Sequence, residues 1–332
     1  MITYSRREFL GGMTAFGITE MLAIRLASAN EGPPETTTIR LGKNSNLCLA
    51  PFYVAEDLLR AEGFKEIQYI AQAEGLSLPQ LVARGDADFG STFAATIVYH
   101  VDAGLPLVVF GGLHAGCYEL FAHEGIRTVT DLKGRRVGIQ TRASSAHLYL
   151  SIMASHVGLD PIRDIDWVVG PNSIERFAHH DVDAFLAFPP EPQQLRSRNI
   201  GRTIIRTTVD PPWSQYFCCM VFSSREFLTS HPVATKRALR ALLKASEFCA
   251  TNPAAAARRL VDGQFTKNYQ HALEAVREIP YTAWRDYDAE DSFRFYALRL
   301  REIGMIHSNP KELIGQSTDW RFVNELRQEL KT

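Results

Sequence analysis

Between residues 37 and 222 short strand-forming runs alternate with helix-forming ones, and from residue 230 onward the pattern is almost purely helical. Alternation at this spacing is what βαβ units require, whereas a helical tail cannot build a sheet of its own and must cover one made elsewhere. The first run places strands at 39–42, 67–71, 87–90 and 107–110, with helices over 51–61, 76–84 and 91–103 between them. Ser91 and Thr92 are expected to cap the last of these helices. A second run begins at 129 with a short helix and a turn at Gly134. A strand at 137–139 follows, then a helix at 145–157 and a strand at 166–169. A helix at 174–179 and strands at 183–188 and 201–207 complete this unit. The apolar segment 216–222 then carries the chain back to the first unit. Helices over 233–250, 253–261, 269–277, 289–303 and 320–330 form the tail, with Pro232 in the first turn of the long one. At 332 residues the chain is long enough for two α/β lobes with separate cores. The expected division is 39–117 with 221–332 as lobe one, and 118–220 as lobe two.

The N-terminus reads Ser5-Arg6-Arg7-Glu8-Phe9-Leu10, then a moderately apolar stretch interrupted by Glu20 and Arg25, then Ala27-Ser28-Ala29. Paired arginines, an apolar region and a small-x-small site resemble a twin-arginine export signal, so residues 1–29 are expected to be removed and the mature protein to be periplasmic. Residues 30–38, polar and containing Pro33 and Pro34, suit an extended linker. No apolar run reaches the roughly 18 residues of a membrane span.

Lys+Arg total 36 against Asp+Glu 37, a net charge of −1, which lacks the basic face a nucleic-acid partner needs. The five cysteines (Cys48, Cys117, Cys218, Cys219, Cys249) include no C-x-x-C, and their odd number leaves at least one free thiol. Cys48 and Cys117 both fall on strand-end loops of lobe one, which leaves a disulfide between them open. G-x-S-x-G, P-loop and G-x-G-x-x-G motifs are missing. The ten histidines include no i, i+4 pair, and His179-His180 diverge by about 100° on a helix. No catalytic residue, metal or cofactor is expected.

In open α/β sheets a ligand sits beyond the carboxyl ends of the strands. That rule selects Asn46, Cys48, Pro51 and Phe52 after the first strand, and Ser91, Thr92 and Phe93 after the third. It selects His114, beside Cys117, after the fourth. In lobe two it selects Arg142, Ser144 and Ser145 after 137–139, and Phe188 and Glu191 after 183–188. Glu119 lies on the hinge. Serine and threonine at helix N-termini hold anionic or carbonyl oxygens, although the same residues also serve as caps alone. Phe52, Phe93 and Phe188 suit either aromatic walls or cores. Glu119 and Glu191 favour an amine or ring N–H, Glu119 being equally suited to a salt bridge, and Arg142 favours an acid; the sign of the ligand stays open. Pro189, Pro190 and Pro192 stiffen the segment that presents Glu191.

Four segments carry a family resemblance: Leu49-Ala50-Pro51-Phe52-Tyr53-Val54-Ala55; Gly85-Asp86-Ala87-Asp88-Phe89-Gly90 with Ala103-Gly104-Leu105-Pro106; Asp131-Leu132-Lys133-Gly134-Arg135-Arg136-Val137-Gly138; and Asp183-Ala184-Phe185 leading to Glu191-Pro192. In this order they resemble the solute-binding proteins of nitrate/sulfonate/taurine importers. The resemblance spans 39–330. It implies a two-lobed α/β fold of the periplasmic binding protein type (type II), with mixed sheets flanked by helices and the helical C-terminal segment on lobe one. It further implies a monomer that closes on a small ligand and delivers it to an ABC permease in the inner membrane. Pyrimidine-forming synthases of thiamine biosynthesis, which carry a cysteine-rich metal motif and a cofactor lysine, resemble the same family and keep an enzyme reading alive, but no clustered cysteine motif appears here and export would separate the protein from cytoplasmic cofactors. A periplasmic sensor that presents its ligand to a receptor is the third reading.

Overall fold

The computed structural model describes residues 31–44, 46–72 and 75–331, so the export signal expected over 1–29 lies outside the described residues. The chain opens with β1 (Thr38–Lys43), α1 (Ala50–Val54), α2 (Glu56–Ala61), β2 (Glu66–Ala71), α3 (Leu78–Ala83), β3 (Phe89–Phe93), α4 (Ala94–Asp102) and β4 (Leu107–Ala115). It continues through β5 (Glu119–Ala122), β6 (Arg136–Ile139), α5 (Ser145–His156), β7 (Asp166–Val169), α6 (Ser173–Ala178), β8 (Ala184–Ala187), α7 (Glu191–Ser197) and β9 (Arg202–Arg206). It ends with β10 (Phe217–Ser224), α8 (Arg225–Ser230), α9 (Pro232–Thr251), α10 (Pro253–Asp262), α11 (Tyr269–Glu278), α12 (Ala289–Glu302), α13 (Pro310–Ser317) and α14 (Arg321–Glu329).

The strands form two sheets with the same internal logic. One runs β2-β1-β3-β10-β4 and the other β7-β6-β8-β5-β9. In each, the first three strands are parallel and the fourth is antiparallel to both neighbours. Each fourth strand follows directly on a crossing between the lobes, β5 after the first and β10 after the second. All of β10 belongs to the first sheet, so the second crossing precedes Phe217.

The two crossings are bonded to each other. Thr207 Oγ1 accepts from the N–H groups of Cys117 (3.0 Å) and Tyr118 (2.9 Å), and the N–H of Thr207 donates to Tyr118 O at 2.9 Å. Gly116 sits here at φ +43°, and a Cβ on it would lie 2.3 Å from the Thr207 carbonyl oxygen. Only glycine meets both demands, the left-handed backbone and the close approach.

The helical tail covers the first sheet. The long helix α9 buries Ala238, Leu239, Ala241, Leu242 and Ala245 and packs on α1, α2, β4 and α14. Its opposite requirement, a partner for its N-terminal N–H groups, is met by residues before β1. Glu35 accepts from Val233 N (3.0 Å) and Ala234 N (2.8 Å). Glu31 pairs with Lys236 (2.8 Å) and Arg240 (2.6 Å), and Arg240 also reaches the buried Glu62 at 2.7 Å. Residues 31–35 are therefore docked on α9 rather than an extended linker.

Three local expectations need correction. The helix expected over 51–61 is two helices meeting at Ala55. β3 does not stop at Gly90 but runs to Phe93, because Ser91, Thr92 and Phe93 pair with Val221, Met220 and Cys219 of β10. The helix that follows begins at Ala94 and has no side-chain cap, so Ser91 and Thr92 are strand residues. Helix α13 was not foreseen in the tail.

The lobes meet tightly. Phe93 of lobe one stacks on Tyr149 of α5 (centroids 4.4 Å apart), and Tyr118 and Tyr296 close around them edge-on. On the far side, Gln193 and Arg196 of α7 bond Glu278 of α11 at 2.9 and 2.7 Å.

Candidate ligand cleft

A cavity of about 510 Å³ lies between the lobes, at the carboxyl ends of strands from both sheets. From lobe one it receives Asn44 and Asn46 after β1, residues 75–80 after β2, Thr92 at the end of β3, and Thr96 and His100 on α4. From lobe two it receives 138–146, which run from β6 into α5, with Ser173, Phe185, Leu186, Phe188 and Glu191. Tyr118 enters from the first crossing.

The α5 N-terminus forms a polarised wall of the cavity. Ser144 is its cap, accepting from His147 N at 3.4 Å. The N–H groups of Ser145 and Ala146, in the first turn, have no intrahelical acceptor, and the helix dipole places partial positive charge there. Ala143 makes the turn before the cap at φ +60°, a conformation that costs a non-glycine residue roughly 1–3 kcal/mol. Its N–H donates to His147 Nδ1 at 3.1 Å. That bond needs a neutral ring, and burial together with the Arg142 charge lowers His147 to about 4. Arg142 is exposed at the rim, and among the described residues no carboxylate pairs with it. Opposite, Thr96 Oγ1 lies 2.9 Å from Ser145 Oγ, joining α4 to α5 across the gap.

Glu191 is the first residue of α7, and its Oε2 accepts from Phe188 N at 3.0 Å. Burial pushes its carboxyl up to about 7, the Phe188 bond opposing in part. Below that pH the group is a neutral acid with one oxygen already engaged, and its proton is a donor for a cavity ligand.

Of the residues selected from the sequence, Asn46, Thr92, Arg142, Ser144, Ser145, Phe188 and Glu191 line the cavity. Cys48, Pro51, Phe52, Ser91, Phe93, His114 and Glu119 do not. Pro51 and Phe52 face into lobe one beneath α9. Ser91 and Phe93 are buried because the strand alternation of β3 turns Thr92 to the cleft and its neighbours away from it. His114 is an interior residue of β4 and Cys48 lies on the buried helical turn Leu47–Leu49. Glu119 is taken up by Arg196 and by Thr203 Oγ1 at 2.7 Å, the salt-bridge alternative. Sequence reasoning missed several lining residues, among them Asn44, Ser77, Gln80, Tyr118 and Ser173, and on α4 Thr96 and His100. For Thr96 and His100, steps of four from Thr92, as polar residues in the otherwise apolar run of α4, were the available signal.

Ser77 Oγ and His100 Nε2 are 3.1 Å apart in the wall. Ser77, however, caps α3 in a reciprocal box with Gln80, and its hydroxyl donates to Gln80 Oε1 at 2.9 Å. Among the described residues no carboxylate orients the His100 ring, and burial lowers its basicity. A serine whose proton is already committed and a base without an orienting partner make a poor nucleophilic pair.

Two sheets of one strand order, two bonded crossings and a cleft at the strand ends define the two-lobed periplasmic binding protein architecture. The family model described as NMT1/THI5 like matches residues 46–256, and the chain belongs to that family. No curated protein matches the sequence. Among solved structures, the chain is similar to the periplasmic nitrate-binding protein NrtA from Synechocystis PCC 6803, at 15% identity over 90% of each chain with a TM-score of 0.78. It is similar to the alkanesulfonate-binding protein SsuA from Xanthomonas axonopodis pv. citri bound to MOPS, at 19% identity, covering 86% of this chain and 99% of that one with a TM-score of 0.73. It is also similar to the desulfurization enzyme DSZB, at 14% identity over 88% of this chain and 99% of that one with a TM-score of 0.58. At these identities the likeness is one of fold, and the fold hosts both binding proteins and an enzyme.

Proposed function

We propose that this protein is the substrate-binding component of an ABC-type importer. It works in the periplasm, closes on a small organic anion between its lobes, and delivers that anion unchanged to an inner-membrane permease. The observation that carries the reading is the α5 N-terminus, with unpaired N–H groups and the unpaired Arg142, facing an interlobe cavity whose one carboxylate among the described lining residues is neutral below about pH 7. The cavity volume favours an organic anion over nitrate. At about 510 Å³ it falls within the roughly 300–1,000 Å³ typical of drug-sized ligands, and a four-atom ion would leave most of it to water. A carboxylate or sulfonate head at Ser145 and Ala146, with an apolar body against Phe185 and Phe188, uses both kinds of wall.

The enzyme reading draws on the fold shared with DSZB. Against it stand the committed Ser77 hydroxyl and a cavity wall that, among the described residues, has no lysine for a Schiff base. Calorimetry against alkanesulfonates, taurine, aromatic carboxylates, nitrate and pyrimidines separates the two. One class of organic anion binds and is recovered intact after long incubation; a new product refutes the binding-protein reading.

A further inference from the structure

Beneath the cleft floor, four side chains from distant parts of the sequence converge. Cys48, His114, Cys117 and Cys219 each offer one ligand atom, all within 4.8 Å of one another, and all four residues are buried. None of them lines the ligand cavity. The fold brings them together in three steps. β10 pairs with β4 so that Cys219 stands opposite His114. Cys117 follows β4 at the first crossing. The helical turn Leu47–Leu49 lays Cys48 over both, and Tyr281 Oη donates to the Cys48 carbonyl at 3.1 Å.

The state of His114 is the informative detail. Its Nδ1 lies 3.1 Å from the Gly116 carbonyl and 3.3 Å from that of Ala115, both acceptors, so the ring proton resides on Nδ1. Nε2 is then a bare lone pair, fully buried, with no hydrogen-bond partner. An unsatisfied buried acceptor is destabilising unless something occupies its lone pair. Metal-bound histidines show this same arrangement, one ring nitrogen anchored to a backbone carbonyl and the other turned to the ion. Gly116, the residue whose backbone the crossing constrains, is also the one whose carbonyl fixes the ring.

We propose that Cys48, His114, Cys117 and Cys219 bind a zinc ion in a closed, four-ligand Cys3His site at the hinge. Three sulfurs and one imidazole match the donor set and number of structural tetrahedral zinc, and carboxylate-seeking ions such as calcium and magnesium have no oxygen ligand there. Binding displaces the thiol protons to solvent and leaves the thiolates as ligands; nothing is oxidised or reduced. Cys218, whose sulfur is 3.4 Å from that of Cys117, is the neighbouring thiol that hydrogen-bonds a ligand sulfur rather than a fifth ligand. The ion ties the loop after β1 to β4, which leads into the first crossing, and to β10, which follows the second, and so stiffens the base on which the lobes close.

The test is cobalt titration of the full chain, purified under reducing conditions and freed of metal. About one equivalent of Co²⁺ should develop the visible bands of a tetrahedral site and a thiolate-to-cobalt band in the near ultraviolet, and zinc should abolish both. Cys48→Ser and Cys219→Ser should weaken or lose the thiolate band. Cys249→Ser, a buried cysteine outside the cluster, should keep it. Metal loading should raise the Tm of the wild type, a readout that holds even if a ligand variant fails to fold. Absence of a tetrahedral cobalt spectrum in reduced wild type overturns the proposal. So does a Cys117–Cys218 disulfide in the protein as isolated from its native compartment, since it removes a ligand.

Discussion

Thr96 Oγ1 and Ser145 Oγ meet at 2.9 Å across the cleft, one on the first turn of α4 and the other on the first residue of α5. The contact joins the two helices whose N-terminal ends face the ligand cavity, so it forms only when the lobes are closed. Thr96→Ala removes it without disturbing either sheet. Ligand affinity should fall by about 0.5–1.5 kcal/mol, the net worth of one hydrogen bond, with Tm nearly unchanged. Calorimetry and a thermal melt on the same preparation check both halves.

The Glu191 carboxyl, raised to about 7 by burial, makes binding pH-dependent. An organic anion is favoured while Glu191 holds its proton and opposed once it ionises, so affinity should fall as pH rises through 7. The stability of the unliganded protein follows the same sign. The folded-state value lies above the ordinary 4.5, so the group's contribution is fully present below 4.5 and is lost as pH rises through about 7. Glu191→Gln keeps a neutral donor at all pH values and should flatten the affinity profile. A profile of Kd from pH 5 to 9 for both proteins decides it, and a ligand that binds more tightly to ionised Glu191 would reverse the sign.

Acid should release the N-terminal segment. Both Glu31 and Glu35 are held below their ordinary value. Burial raises each, but Arg240 and Lys236 outweigh it for Glu31, and the Ala234 and Val233 N–H groups outweigh it for Glu35. Their contribution is fully present above 4.5 and is lost as pH falls through the lower folded-state values. Glu35→Ala should cost about 0.5–1 kcal/mol at neutral pH, as for other helix caps, and less at pH 3. Urea unfolding at the two pH values measures the difference.

Gly116→Ala should be the most damaging small substitution at the hinge. It places a Cβ 2.3 Å from Thr207 O and forces a side chain into φ +43°. Relief requires separating the crossings, which breaks the Thr207 hydrogen bonds. A loss of at least roughly 1–3 kcal/mol follows from the backbone conformation alone, read as a drop in Tm.

How far these features were legible depends on whether they are local. The order of strands and helices, and helix starts such as Ser144 at α5, follow from periodicity and capping, and the structure agrees with most of them. The sequence reading ends this strand at 90, whereas pairing with β10, more than a hundred residues away, extends β3 to Phe93. That one error turned Ser91 and Phe93 from core residues into apparent site residues. The thiol–imidazole cluster had no sequence signature, because its members lie at 48, 114, 117 and 219 and are assembled by strand register. The docking of Glu31 and Glu35 was hidden for the same reason, since their partners lie on α9.

The central claim, capture of a small organic anion without chemistry, is tested most directly by mass spectrometry of what the protein carries. Protein isolated from its native compartment without refolding is examined intact and then denatured, and the released small molecule is identified. The expected result is one sulfonate- or carboxylate-bearing solute per chain, identical to the form supplied in the medium. A cationic or neutral ligand, or a chemically altered derivative of a supplied solute, would contradict the account.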